Sequence, residues 1–191
     1  MELLERLLEL VKARQPPYGC HGFEHTLRVV EICRLLGEAL GANMEVLLPA
    51  AALHDIARGE EDHADAGGEV AREVLGGLGY PYVEEVVEVI KAHSYTGGRR
   101  PGTMESRILS DADKLDAMGA IGIYRAAMYS AEHGRPLSDF VAHFHEKLLR
   151  LPSQLYTPQA RAMAVERYEF MLEYLRQLGL EVKGLASPPL E

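Results

Sequence analysis

Apolar residues recur at three- and four-residue spacing from Leu3 almost to the end of the chain. No segment shows the sustained two-residue alternation, bounded by hairpin turns, that half-buried strands require. This periodicity predicts an all-α fold. Leu3, Leu4, Leu7, Leu8 and Val11 form one stripe, which stops before QPPYG at 15–19, where two prolines and a glycine end a helix. A second helix is predicted from about Phe23 to Leu40, with Gly41 as its C-terminal cap; Asn43 then opens a third that runs through Leu47, Leu48 and Ala51 to His54 or beyond. After the acidic stretch RGEEDH, helices are predicted at 65–78, 82–92, 104–132 (one helix or two), 138–150 and 158–178. The breaks between them are GLGYP, HSYTGGRRPG and HGRP. With no repeat, low-complexity linker or forced boundary, residues 1–191 read as a single domain.

Composition narrows the function classes. Hydrophobic residues at 47% and charged residues at 26% are those of a globular chain. No apolar run reaches the roughly 18 residues of a membrane span. The start, MELLERLLELVKARQ, is amphipathic and acidic, unlike a signal peptide, so a cytoplasmic protein is expected. Cys20 and Cys33 are too few and too far apart for a zinc knuckle and are read as reduced thiols. A net charge of −9 argues against a nucleic acid polymer as partner, because backbone binding needs a surplus of Lys and Arg on one face. A small anion held by a few local cations or a metal fits that balance.

Residues 51–59, AALHDIARG, place His54 and Asp55 at the inner end of a helix that looks like core. About 0.3 such dipeptides are expected by chance in a chain of this composition, so the pair needs partners elsewhere. His25 supplies one, early in the second helix, with Val29 and Ile32 on a nearby face that should look toward the core. Asp113 supplies another, within ILSDADKLDAMGAIGIY, where three Asp in six positions are hard to explain by packing. Asp113 and Asp116 are three apart and share a helical face, while Asp111 points elsewhere. An ionised carboxylate in such surroundings is costly unless paired or bound to a metal. Imidazole and carboxylate ligands without thiolate suit Mn, Fe, Ni, Zn or Mg.

His25, the His54–Asp55 pair and the Asp of DADKLDA resemble, in order, the motif of the HD superfamily of metal-dependent phosphohydrolases. DADKLDAMGAIGIYR is similar to the small, uncharacterised HD-domain hydrolases of bacteria and archaea, and the resemblance runs from about His21 to about residue 130. It implies an all-α HD-type bundle with His25, His54, Asp55 and Asp113 as ligands of a divalent ion. His63 and His93 fall where some members place further metal or phosphate ligands, which would admit a second ion with Asp55 bridging the two. The implied chemistry is hydrolysis of a small phosphate ester, such as a nucleotide, by a metal-activated water.

Around this set, Asp116 is a candidate for orienting a ligand or accepting a proton. His21, in the loop before His25, is a candidate donor or acid toward the leaving group or a substrate phosphate. Lys114, Arg99 and Arg100 are candidate cations for phosphate oxygens. Each has a plainer reading: His63 as a surface histidine, His93 as a helix C-terminal cap, Asp116 as a salt-bridge partner, Lys114 as a solvated side chain, and the two arginines as loop charges. Arg28 reads as a structural ion-pair partner. His143 and His145 in HFHEK point to different helix faces and read as no site. Two other functions remain compatible with the ligands, a diiron oxygenase and a non-catalytic nucleotide or metal sensor. The N-terminal leucine stripe and Met163, Tyr168, Met171 and Leu175 serve either core packing or a homodimer surface.

Overall fold

The computed structural model describes residues 2–60, 62–93 and 99–184. Among these residues there are only helices: α1 (Leu3–Arg14), α2 (Phe23–Leu40), α3 (Met44–Leu53), α4 (His63–Gly77), α5 (Val83–His93), α6 (Met104–Asp116), α7 (Gly119–Glu132), α8 (Leu137–Glu146), a 3₁₀ segment (Leu148–Gln154) and α9 (Pro158–Val182). The all-α reading is thereby met. None of these helices is long and apolar enough to cross a membrane.

Local chemistry sets the boundaries. Gly41 closes α2 in the left-handed region, at φ 67°, where a side chain would be strained. The Asn43 side chain accepts from the Glu45 amide and so opens α3. The predicted 104–132 segment is two helices, with a capping box at Thr103 and Ser106 starting the first. The second begins tightly against Ala117: a Cβ on Gly122 would lie 2.3 Å from the Ala117 carbonyl oxygen. The helix expected from residue 65 starts earlier, and His63 is its first residue. The segment expected at 138–150 ends at Glu146, after which the chain tightens into the 3₁₀ segment that carries Pro152. Helix α9 continues to Val182.

The central element is α3, with Ala50, Ala51, Ala52 and Leu53 fully buried. It is covered by α1, α2, α5 and α6. Small side chains let these helices come close, which is how four elements converge on the end of one helix. Pro49 lies inside α3 and cannot donate to the Glu45 carbonyl. The Tyr80 hydroxyl donates to that oxygen instead. Phe140 and Phe144 of α8, Leu148 and Leu151 of the 3₁₀ segment and Met171 of α9 extend the same buried core. The leucine stripe of α1 and Met163, Tyr168, Met171 and Leu175 of α9 all belong to this core or pack against it. Cys20 and Cys33 are free thiols.

Candidate metal centre

Four chain segments bring their ends together beside α3. His25 lies in the first turn of α2, and His54 and Asp55 continue from the end of α3. His93 is the last residue of α5. Asp113 comes from the last turn of α6. The Nε2 atoms of His25 and His54 face each other at 3.2 Å. The Asp55 Oδ2 lies 3.7 Å from the first and 3.8 Å from the second, and Asp113 Oδ1 lies 3.5 Å from His25 Nε2. On the other side of the same carboxylate, Asp55 Oδ1 is 4.0 Å from His93 Nε2. Asp55, His63 and His93 form a second group of mutually close donor atoms next to that of His25, His54 and Asp113.

The proton positions follow from what holds each ring. His54 Nδ1 is 2.8 Å from the Ala51 carbonyl oxygen, and His93 Nδ1 is 2.5 Å from that of Ile90. A carbonyl only accepts, so each Nδ1 carries hydrogen. His25 Nδ1 is 2.7 Å from Asp116 Oδ2. Arg28 and Arg125 also donate to that carboxylate, at 2.6 and 3.1 Å from Arg28 and 3.0 Å from Arg125. Asp116 is therefore ionised, and His25 donates to it. In their neutral forms all three imidazoles turn bare Nε2 lone pairs inward, toward two carboxylates.

The protonation energetics agree. Burial pushes the His25 imidazole toward its neutral form, against the opposing pull of Asp116. Burial and the neighbouring His54 lower His93 to about 4. Burial would raise Asp55 and Asp113, but the positive charge that the surrounding imidazoles carry when protonated outweighs it; with His21 and Arg58 also acting on Asp55, both carboxyls are held below the ordinary range. Two buried carboxylates that need positive charge, among ring nitrogens that turn toward them, are a cation site by chemistry. The donor set fits a divalent ion: His25, His54, Asp113 and Asp55 on one side, and Asp55, His63 and His93 on the other.

The remaining predicted residues are distributed unevenly. His21 is at the mouth, its side chain 28% exposed and its Nδ1 3.2 Å from Asp55 Oδ2. Asp116 is buried behind His25 and accepts from His25, Arg28 and Arg125, so it orients the ring. Lys114 turns to Ser110, donating to its carbonyl at 3.1 Å, and lies over the Tyr156 ring. Arg99 pairs with Asp65 at 3.1 Å, and Arg100 is exposed. Residues 94–98 of the predicted break HSYTGGRRPG lie outside the described residues. Asp111 is structural, accepting from the Tyr156 and Thr157 amides and the Thr157 hydroxyl where α9 begins. His143 and His145 are on α8, apart from the cluster.

Three contributors escaped the sequence reading. Arg58 donates to Asp55 Oδ1, His63 Nε2 and His21 Nε2. Its position three residues after Asp55 was the available signal. Arg125 of α7 clamps Asp116 and also donates to the Cys20 carbonyl. Gln15 donates to the Asp55 carbonyl at 3.2 Å while accepting from Thr26, tying the end of α1 to α2 and the HD turn.

The chain belongs to the HD domain family, whose model matches residues 22–118. It is 32% identical over 176 residues to YpgQ of Bacillus subtilis, covering 86% of each chain. A crystal structure of YpgQ in complex with ADP superposes with a TM-score of 0.80 at 29% identity, over 96% of this chain and 100% of that one. A predicted HD superfamily hydrolase from an uncultured Thermotogales bacterium gives a TM-score of 0.71 at 30% identity, over 93% and 92%. Ribonuclease Y of Rubrobacter xylanophilus is 32% identical over 119 residues, which is 60% of this chain but 21% of that protein. The family and its hydrolase neighbours, together with the His/Asp cluster, support a metal-dependent hydrolase.

Proposed function

We propose that this chain is a divalent-metal-dependent phosphohydrolase acting on small phosphate esters, with nucleotides as the substrate class. The observation that carries the reading is the fixed tautomer of His25, His54 and His93, whose Nε2 lone pairs converge with Asp55 and Asp113. His25, His54, Asp55 and Asp113 would hold the ion, with His63 and His93 offering further donors beside Asp55. A bound divalent ion would supply a nucleophilic water at neutral pH and polarise a phosphoryl oxygen.

The side chains of this protein do the rest. Asp116, fixed by Arg28 and Arg125, keeps the His25 ring oriented and its Nε2 basic. His21 sits at the open edge with Nδ1 on Asp55 and Nε2 on Arg58, and would donate a proton to a leaving oxygen once Nε2 is protonated and released from Arg58. Arg58 presents a guanidinium at the same edge, suited to an anionic oxygen. The ADP bound by YpgQ supports a nucleotide ligand. The overall charge of −9 supports a small phosphorylated molecule over a polymer.

A panel of phosphate monoesters, nucleotides and cyclic nucleotides, assayed with Mn, Fe, Ni, Zn and Mg, tests the reading. Metal-dependent phosphate or pyrophosphate release is expected, and Asp55→Ala should abolish it. Full metal content and full activity in Asp55→Ala would overturn the site. Oxygen consumption by the iron-loaded protein without hydrolysis would favour an oxygenase, and tight nucleotide binding without turnover a sensor.

A further inference from the structure

The group of Asp55, His63 and His93 has the donors of a second cation site, and a side chain of the chain already reaches into it. Arg58 lies in the turn after α3, where its amide bonds back to the Asp55 carbonyl at 3.2 Å and keeps its side chain on the Asp55 side. One guanidinium nitrogen is 3.4 Å from Asp55 Oδ1 and 3.0 Å from His63 Nε2. The other is 3.1 Å from His21 Nε2. His21 donates through its Nδ1 to Asp55, leaving Nε2 as the acceptor for Arg58. Two guanidinium nitrogens thus serve three acceptors.

We infer that Arg58 is the cation of the outer position, so that this centre takes one divalent ion rather than two. This rests on the phosphohydrolase reading and its inner site at His25, His54, Asp55 and Asp113. A neutral imidazole nitrogen has a single lone pair, so the His63 bond to Arg58 and a His63 bond to an ion exclude each other. A second divalent ion would also sit against a guanidinium that stays charged at every accessible pH. Charge balance points the same way. One divalent ion neutralises Asp55 and Asp113, and Arg58 leaves a single positive charge facing the opening, which matches an anionic phosphoryl group. Asp116 does not enter that balance, because Arg28 and Arg125 already hold it.

The test is metal stoichiometry, read by elemental analysis and by calorimetric titration of metal-stripped protein with Mn²⁺. Electron paramagnetic resonance supplies a readout independent of turnover, since neighbouring Mn²⁺ ions couple and a lone one does not. Wild type and Arg58→Lys should bind one uncoupled ion per chain. Arg58→Gln should gain a second, coupled ion, and Arg58→Gln with His63→Ala should lose it again. Two coupled ions in the wild type, or a single ion in folded Arg58→Gln, would overturn the inference. Absence of any specific ion in the wild type, or an ion indifferent to Asp113→Asn, would instead sink the metal-site reading beneath it.

Discussion

Replacing Asp116 by Asn separates the ring-orienting role from simple ligation, because the side chain keeps its size and loses its charge. The carboxylate accepts from His25 at 2.7 Å, from Arg28 at 2.6 and 3.1 Å, and from Arg125 at 3.0 Å. Bonds to charged groups contribute about 1.5–3 kcal/mol each. The four do not simply add, since Arg28 is 29% exposed and regains water when its partner is lost. Removing one partner of a buried ion pair costs about 3–5 kcal/mol. Burial raises the Asp116 carboxyl, but the His25 and Arg28 bonds outweigh it and bring it from 3.8 to about 2, which corresponds to about 2 kcal/mol at neutral pH. A loss of about 3 kcal/mol, between these two figures, is expected, a fall in Tm of about 6–12 °C for a chain of this size. Metal affinity should weaken by about 10–100-fold, because the His25 ring loses its anchor. The sign with pH is also set: a depressed carboxyl contributes fully above 3.8 and loses that contribution as pH falls toward about 2. Thermal unfolding of metal-free protein between pH 2 and 7, with Mn²⁺ titration calorimetry, reads both effects. The reasoning is refuted if Asp116→Asn loses less than about 1 kcal/mol and binds Mn²⁺ as the wild type does.

Asp111→Asn is the matched structural control. It should lose about 2–4 kcal/mol by weakening the three bonds that start α9, with Mn²⁺ affinity unchanged; a matching loss of affinity would place Asp111 in the site. His93 is lowered from 6.5 to about 4, so between those values the unfolded chain takes a proton that the folded one refuses. Metal-free stability should therefore fall by about 3 kcal/mol as pH drops from 6.5 to 4, and His93→Asn should flatten that slope in denaturant titrations. Free Mn²⁺ at 100 times its dissociation constant should add about 2.7 kcal/mol, or about 5–11 °C in Tm. Asp113→Asn should abolish that shift, and its survival would place the ion elsewhere.

Where a structural decision is local, the sequence carried it. The bounds of α2, the Gly41 cap and the Asn43 cap each depend on a residue and its near neighbours. The onset of α4 at His63 was obscured because its first turn is polar and lies next to the acidic stretch that reads as loop. The four inner donors were legible as an ordered motif; His25 and His54 lie near helix ends that could be predicted, whereas the end of α6 beside Asp113 was not placed within the predicted 104–132 segment. Arg125 and Gln15 were not, because their partners are 9 to 105 residues away and are chosen by how helices cross.

The two readings of His93 show what the structure adds most directly. A histidine closing a helix C-terminus and a histidine ligating a metal look like alternatives in sequence. In the fold the two are compatible: His93 donates through Nδ1 to the Ile90 carbonyl, as His54 does to that of Ala51. The cap fixes the tautomer, and the fixed tautomer turns Nε2 toward Asp55. Burial then removes the usual advantage of the protonated ring at a helix end, leaving that nitrogen free for a cation. A helix terminus can therefore prepare a ligand, provided that the end is buried and another carboxylate stands opposite it.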